Sequence, residues 1–299
     1  PELKSFDPLE VKGEFDSKSG LLELDVRMRQ LVYGPLTIKD FSVVTDADSS
    51  VVHYAVSAKS VATDQVELAN LMFAGNIGEQ GIATNFTSID DDLGKKLAIH
   101  SHLTREGDNY RLTIDPDDLY LMYSRWQIDP GNQILFGEEG VMLDRLFLQN
   151  GDREVRVASV DQQFNGDLSI AIRNFRLGDI SKIIENDPEL VKGTVNGTIL
   201  VKRAGTGSIG SAPDEPGMAA KATRGERISP DSAATGIIAD ASVSNLIVRR
   251  IPVGDFNITT TNPAPNRFDL SAGLSGAGND LNIEGYIMSS SNEGTIDIT

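Results

Sequence analysis

The chain has 299 residues, a formal net charge of −17 at pH 7 and no cysteine. Such an acidic surface repels nucleic-acid phosphates and anionic headgroups, which argues against nucleic-acid binding and against membrane binding driven by headgroup charge. Disulfide frameworks and thiol chemistry are excluded because there is no cysteine, and no apolar run of about 18 residues predicts a membrane-spanning helix.

Most of the chain alternates apolar and polar side chains with a period of two, which is typical of β-strands with one apolar face. Near the N-terminus, Leu22, Leu24 and Val26 alternate with charged residues. The corresponding apolar positions further along are Leu36, Ile38, Val52, Tyr54, Val56, Leu97, Ile99, Val141, Leu143, Leu168, Ile170, Ile172, Ile199, Val243, Phe256, Ile258, Leu281 and Ile283. We predict an all-β fold in which these side chains line one apolar groove.

Short polar clusters separate the predicted strands and indicate hairpin turns. They lie at residues 16–20, 106–109 and 149–152, and such clusters between alternating runs are typical of β-hairpins. The strand spacing suits a sandwich, a barrel or a β-solenoid.

Two short helices are predicted, each closing an end of the β-structure. The first covers residues 177–185, with Asp179 as its N-cap and Pro188 as its stop. The second covers residues 116–121 and is capped by Asp115. In the first, Ile180, Ile183 and Ile184 fall on one helical face.

Residues 203–235 differ in composition from the rest, because Gly, Ala, Ser and Pro dominate and the alternation vanishes. We predict a disordered low-complexity loop there. The chain then divides into a groove segment at 1–202, this loop at 203–235, and a continuation of the groove at 236–299. We expect the whole to be a fragment of a longer protein, because it lacks an initiator Met and ends within a predicted strand.

A pattern of eight residues recurs four times, with apolar residues at its first, third, sixth and eighth positions. Its copies are residues 36–43, 141–148, 170–177 and 241–248. The fifth position is polar in each copy: Asp40, Arg145, Asn174 and Asn245. The odd step between the third and sixth positions would turn the second half to the wrong face of a regular strand.

A bulge or bend at the polar residue of each copy would return both halves to one face. The repeat therefore predicts strands that bend around a shared apolar interior. A curved β-sandwich, which also needs bulges, is the alternative interpretation.

These copies and their surroundings resemble the TamB-like members of the AsmA superfamily, and within it the Bacteroidetes branch. The resemblance covers residues 20–299 apart from the loop. The segments that carry it are residues 126–136, 141–148, 155–157, 167–177, 191–199, 254–258 and 276–285.

The resemblance implies a β-taco, which is a U-shaped sheet with a hydrophobic groove, in a periplasmic protein that spans between the inner and outer membranes. It also implies phospholipid movement, an outer-membrane β-barrel assembly partner of the Omp85 type, and an inner-membrane anchor outside these residues. No enzymatic activity and no cofactor are expected.

Side chains that resemble catalytic or metal-binding groups are better explained structurally. His100 and His102 share a strand face, but zinc takes three or four protein ligands and His53 is remote in sequence. The acidic runs 90–92 and 115–118 lack the calcium-loop pattern and suit turns or helix caps. The acidic residues offer no identifiable acid–base pair without a pocket.

Three further features do not indicate catalysis or cofactor binding. Residues 205–210 match G-x-G-x-x-G, but within the low-complexity segment and with no helix after them. The serines lack a G-x-S-x-G elbow. Trp126, the only tryptophan, is expected to serve core packing or to cap the groove.

Three functions remain open at this point. The first is a lipid conduit through the apolar groove. The second is a chaperone-like segment that pairs its exposed strand edges with an unfolded outer-membrane protein. The third is an adhesin or structural β-sandwich, whose apolar faces would pack against each other and leave no accessible groove.

Overall fold

The computed structural model describes residues 2–18, 20–47, 50–64, 66–184, 189–203, 236–264, 266–288 and 293–299. The chain is nearly all β, with two large antiparallel sheets that are not closed into a barrel. This confirms the predicted all-β, groove-like architecture. The predicted loop at 203–235 lies outside the described residues apart from Arg203.

The N-terminal sheet holds thirteen strands. They are β1 (Leu3–Phe6), β2 (Glu10–Asp16), β3 (Leu21–Tyr33), β4 (Leu36–Ala47), β5 (Val52–Ala62), β6 (Glu67–Gly78), β7 (Gly81–Asp90), β8 (Gly94–Glu106), β9 (Asn109–Ile114), β10 (Tyr120–Leu121), β11 (Ser124–Arg125), β13 (Gln133–Gly137) and β14 (Gly140–Asp144). The main path runs β1-β3-β4-β5-β6-β7-β8-β9-β13-β14, and β2 also pairs with β3. Neighbours in sequence are therefore mostly neighbours in the sheet.

The C-terminal sheet holds ten strands. They are β12 (Gln127–Ile128), β15 (Leu146–Asn150), β16 (Arg153–Ser159), β17 (Leu168–Arg176), β18 (Val191–Lys202), β19 (Gly236–Val248), β20 (Ile251–Ala264), β21 (Arg267–Gly276), β22 (Asn279–Met288) and β23 (Glu293–Ile298). They pair in chain order. Only Arg145 separates β14 from β15, so the chain passes from one sheet to the other at the second copy of the repeat.

The polar residue of every repeat copy has a left-handed backbone. The φ angles are 49° at Asp40, 50° at Arg145, 51° at Asn174 and 54° at Asn245. Residues other than glycine seldom adopt this conformation in a strand. The repeat therefore encodes a backbone bend at this residue of each copy, and we call these bends together the crease.

At two of the copies the crease is a β-bulge. The pairing of β17 with β18 shifts between Ile172 and Phe175, and that of β19 with β20 shifts between Val243 and Leu246. One extra residue on the bulged strand returns the next apolar side chain to the original face. The sequence argument for a shared face is therefore confirmed at these two copies. At Asp40 the pairing with β3 keeps its register, so that copy is a bend without a bulge.

A fifth copy of the repeat lies at residues 66–73, and the sequence analysis missed it. Its polar residue is Asn70, with φ of 43°. The apolar spacing is the same, with Leu68 before the bend and Leu71 and Phe73 after it. The spacing of its apolar residues was sufficient to identify this copy. However, Ala69 and the flanking polar residues make the difference between apolar and polar positions small along this strand.

Replacing Asn245 tests the crease, because its side chain is exposed and the effect arises from the backbone. Asn245→Val is expected to lower the unfolding free energy by about 1–2 kcal/mol, since a left-handed β-branched residue is strained. Asn245→Gly should stay within about 0.5 kcal/mol of the natural chain. Urea denaturation followed by circular dichroism measures both.

Asn257→Val is the matched control, because Asn257 is an exposed strand residue without a positive φ. It should not destabilise the protein, since valine favours strands. A valine at position 245 as well tolerated as the one at position 257 would refute the crease.

One of the two predicted helices is confirmed. Helix α1 runs Leu177–Ile184. However, Asp179 lies within its first turn rather than at the N-cap. Pro188, the predicted stop, lies outside the described residues.

The predicted helix at residues 116–121 is wrong. The chain forms a turn there and enters β10 at Tyr120. The Asp115 carboxylate accepts the backbone N–H of Asp117 at 2.9 Å, and Asp118 has φ of 63°. An aspartate-capped turn of this kind competes with helix initiation, and the left-handed residue breaks the helical path.

Candidate functional site: an apolar interior shared by two sheets

A small, fully buried cluster lies where the two sheets meet. Leu119, Trp126 and Ile128 form it, and we call it the junction cluster. The half-buried side chains packed against it are Ile99, Ile114, Leu121, Met122, Leu146, Leu148, Val155 and Phe175. These come from both sheets, so one face of each sheet is turned toward the same interior.

The face of the N-terminal sheet that carries Ile99 and Ile114 is its inner face. Residues paired across neighbouring strands share a face, which lets each row be followed from strand to strand. One inner row is Val26, Val43, Val56, Phe73, Phe86 and Ile99. A second row lies nearer the β4–β5, β6–β7 and β8–β9 turns. It consists of Leu22, Ala47, Val52, Ile77, Ile82, Leu103, Leu112, Ile134 and Leu143.

Apolar rows also cross the inner face of the C-terminal sheet. The row through Val155 is Leu148, Val155, Ile172, Gly197, Ala241, Ile258, Ala272, Ile283 and Ile298. The row beside the crease is Phe175, Val195, Val243, Phe256, Leu274 and Leu281. A row farther from the crease is Leu146, Val157, Ile170, Ile199, Ala239, Thr260 and Leu270.

The opposite faces carry most of the charged strand residues, with some apolar side chains such as Val44 and Met72 among them. One outer row of the N-terminal sheet contains Glu23, Asp46, His53, Asn76 and His102. One outer row of the C-terminal sheet contains Arg156, Thr198, Asp240, Thr259, Ser271, Glu284 and Asp297. The alternation seen in the sequence therefore separates an apolar interior from a solvated exterior.

Away from the junction the inner face is open to solvent. Phe73 and Ile77 are each 43% exposed, Leu22 is 38% and Leu281 is 36%, whereas Trp126 is 1% exposed. Two apolar faces packed as a sandwich would bury such side chains. The described residues instead form an apolar surface that a ligand can reach from outside.

Most of the predicted groove residues fall on these inner faces. The predicted positions within the inner rows given above are Leu22, Val26, Val52, Val56, Ile99, Leu143, Ile170, Ile172, Ile199, Val243, Phe256, Ile258, Leu281 and Ile283. Leu24 and Tyr54 share a further inner row with Ile114. Leu97, Val141 and Leu168 lie two residues from Ile99, Leu143 and Ile170 on the same strands.

Leu36 and Ile38 lie beyond the crease, on the short arm of the bent strands. There Leu36 pairs with Tyr33, and Ile38 pairs with Leu31 and Val61. They are not continuous with the rows that meet the junction cluster.

The inner-face residues Phe73 and Phe86 were not predicted. Their strands β6 and β7 carry Gly75 and Thr84 on the inner face and Ala74 and Ala83 on the outer face. The polarity contrast between the two faces is weak there, so the alternation gave no clear signal.

Polar side chains fix the junction. The buried Asn132 donates to the Ile114 and Asp129 carbonyls at 2.7 and 2.8 Å and accepts the Ile114 N–H at 2.8 Å. The Trp126 indole N–H donates to the Leu121 carbonyl at 3.2 Å. The guanidinium carbon of buried Arg153 lies 5.3 Å from the Trp126 ring centroid, and its nitrogens contact Asp179 and Asn150.

Removing the partner of Arg153 is expected to weaken the junction. Asp179→Ala leaves a nearly buried guanidinium without its carboxylate, which should cost about 2–3 kcal/mol of unfolding free energy. Chemical denaturation measures the loss. As a control, removing the exposed partner in Glu106→Ala, which leaves Arg111 at the surface, should cost less than about 1 kcal/mol. Equal losses for the two carboxylates would contradict this role for Asp179.

Charged groups with shifted pKa values lie at the turns beside the junction. Burial lowers the pKa of Lys96, against the opposing effect of Asp90 and Glu67, and its ammonium donates to the Glu67 carbonyl at 2.9 Å. Contact with Lys95 holds the pKa of the exposed Asp118 below its usual value. Both cations thus have structural partners at this end of the sheet.

The other sequence features take structural positions. His100 and His102 lie on the outer face, and His53 shares a row with His102 three strands away. Among the described residues no group of three or more His, Asp or Glu is arranged to hold a metal ion. The Asp90 carboxylate accepts the N–H groups of Asp92 and Leu93 and so caps a turn. Residues 205–210 lie outside the described residues.

No family model, no curated protein and no solved structure matches the chain. Within the part of the chain that the structure describes, no helix is both long and apolar enough to cross a membrane.

Proposed function

We propose that the chain is a non-enzymatic conduit for the acyl chains of phospholipid, in the periplasm between the inner and outer membranes. The observation that carries the proposal is the open apolar inner face, which is present on both sheets and is backed by a more polar outer face. The likeness to the TamB-like proteins supports the same function. An Omp85-type assembly partner and an inner-membrane anchor elsewhere in the parent protein complete the proposal.

The energetics favour acyl chains as the occupant. Removing a methylene from water contributes about 0.8 kcal/mol, so a two-chain lipid gains well over 10 kcal/mol in an apolar groove. Escape into water is then far slower than movement along the groove, while the headgroup stays solvated. No side-chain chemistry is required for this movement.

The junction cluster divides the path. Leu119, Trp126 and Ile128 fill the space between the two inner faces where the sheets meet. The groove therefore consists of two apolar stretches, one on each sheet, which meet at the junction cluster.

Native mass spectrometry of the purified protein after incubation with phospholipid vesicles tests the proposal. We expect a lipid-bound species, with the adduct identified by extraction. A protein that stays lipid-free under these conditions, although circular dichroism shows intact β-structure, would overturn the conduit.

A second candidate function rests on the sheet edges. Among the described strands, β23 pairs only with β22, and β2 pairs only with β3. Each leaves one row of backbone groups for an added strand, and an unfolded outer-membrane protein offers such a strand. Photocrosslinks from β23 to an unfolded barrel protein, in a sample that binds no lipid, would favour this function.

A further inference from the structure

We propose that the N-terminal sheet holds acyl ligands by their carbonyl oxygens, through a row of hydroxyl groups on its inner face. The row consists of Thr45, Tyr54, Thr84 and Ser101, and we call it the hydroxyl ladder. This inference rests on the proposed lipid-binding function and adds to it the part of the ligand that is recognised.

Strand pairing defines the ladder. Thr45 on β4 pairs with Tyr54 on β5, Tyr54 with Gly75 on β6, Gly75 with Thr84 on β7, and Thr84 with Ser101 on β8. Ser101 pairs with Ile114, which contacts the junction cluster. The hydroxyls therefore lie on the inner face, on the same side of the sheet as the apolar rows.

An apolar row lies on each side of the ladder. Two residues along a strand advance about 6.8 Å, so the row through Val43 and Phe86 lies about that far toward the crease. The row through Ala47 and Ile82 lies the same distance in the opposite direction, toward the β4–β5 and β6–β7 turns. Four strand intervals of about 4.8 Å place Thr45 and Ser101 about 19 Å apart along the groove. The hydroxyls thus follow the direction in which a ligand would move.

The glycine in the ladder makes room for the tyrosine. A Cβ atom at Gly75 would lie 2.9 Å from the Tyr54 hydroxyl oxygen. The Tyr54 side chain therefore reaches over β6 toward β7, and its hydroxyl lies 2.9 Å from Thr84 Oγ1. Its ring lies 5.6 Å from that of Phe73 in the apolar row nearer the crease. One side chain thus joins the hydroxyl ladder to the apolar surface beside it.

The ladder has hydrogen-bonding capacity that the protein leaves unfilled. Thr45 Oγ1 is buried and has no hydrogen-bond partner among the described residues. A hydroxyl in apolar surroundings is costly unless it finds an acceptor. The carbonyl oxygen of a fatty acid or of an acyl ester is such an acceptor, and its hydrocarbon chain suits the neighbouring apolar row.

Within the described part of the C-terminal sheet there is no ladder of this kind. Its corresponding row contains Ile170, Ile199, Ala239 and Leu270, with Thr260 as the one hydroxyl among these paired positions. The two sheets therefore differ in chemistry. The N-terminal sheet recognises an acyl carbonyl, and the C-terminal sheet offers mainly hydrocarbon contact.

The test removes hydroxyls while keeping shape, in the triple variant Thr45→Val, Tyr54→Phe, Thr84→Val. Its probes are pyrene-labelled hexadecanoic acid, the methyl ester of that acid, and the oxygen-free hydrocarbon diphenylhexatriene. We expect the dissociation constants of the acid and the ester to rise at least tenfold, as roughly fivefold per lost hydrogen bond implies. Diphenylhexatriene should bind unchanged, which also shows that the apolar interior has folded.

A matched variant, Thr198→Val, Thr259→Val, Ser271→Ala, removes three hydroxyls from one outer row and should leave the binding of all three probes unchanged. Unchanged binding of the acid and the ester by the ladder variant would overturn the ladder, and so would an equal loss of binding for all three probes. Neither result would overturn the lipid-binding function of the natural protein. Failure of the natural protein to bind any probe would instead overturn the proposed function. Tighter binding of the acid than of the ester by the natural protein identifies a free fatty acid as the source of the carbonyl. Tighter binding of the ester identifies an esterified lipid.

Discussion

Trp126→Ala is expected to lower the unfolding free energy by about 3–5 kcal/mol. Trp126 is the largest fully buried side chain among the described residues, and the junction cluster to which it belongs joins the two sheets. Elsewhere the inner faces are open, so little other packing compensates for the cavity. Removing the indole also takes away the ring beside Arg153.

Chemical denaturation followed by circular dichroism measures this loss, since the fluorescence of Trp126 disappears with the substitution. Phe147→Ala is the matched control, because Phe147 is a half-buried aromatic residue on the outer face of β15, stacked on Arg156. It should cost about 1 kcal/mol. Similar losses for the two variants would mean that the junction cluster does not hold the sheets together.

Ile172→Asp is expected to reduce binding of acyl ligands at least tenfold, because it places a carboxylate in the middle of the apolar inner face of the C-terminal sheet. The methylenes that Ile172 would contact gain about 0.8 kcal/mol each from burial, and a nearby charge resists dehydration. Ile172 is only half-buried in the free protein, so the charge stays hydrated there and the fold should persist.

Ala171→Asp provides the control, since it adds the same charge on the same strand but on the outer face, beside Arg156. It should leave ligand binding unchanged. Both variants are compared by native mass spectrometry after vesicle incubation, with circular dichroism as the check on folding. Equal lipid occupancy in the two variants would exclude the inner face of β17 from the lipid path.

The bent strands were predictable because a bend changes the spacing of the apolar residues, and that spacing is visible in the sequence. Apolar residues separated by an odd number of positions share a face only if the chain bulges or bends between them. Both bulges occur at an asparagine with positive φ, Asn174 in one strand and Asn245 in the other. Asparagine tolerates this conformation better than most residues, and its place in the repeat was informative. The same reasoning, applied to Asn70, would have found the fifth copy.

The junction was predicted less well. Trp126 was expected to pack in the core or to cap the groove, and it does pack in the core, but Leu119 and Ile128 were not identified as its partners. They lie in a turn and in a strand of only two residues, which are too short for any periodicity to show. The failed helix at residues 116–121 has the same cause, since an aspartate-capped turn and a helix start share their residue types.

The hydroxyl ladder could not have been found in the sequence. Tyr54 was predicted to line the groove because it shares a face with Val52 and Val56, but Thr45 and Thr84 lie on other strands. Their common row depends on the register of four strand pairs. Alternation specifies a face, whereas register specifies which side chains meet on it.

The central claim is that the inner face, and not the outer face, holds acyl chains. Phe73 and Met72 are neighbours on β6 with nearly equal exposure, 43% and 46%, and they lie on opposite faces. The chain has no cysteine, so a single cysteine at either position can carry a bimane label. Vesicles containing phospholipid with a doxyl-labelled acyl chain should quench the label at position 73 strongly and the label at position 72 little. Equal quenching at the two positions, or none at either, would contradict the account.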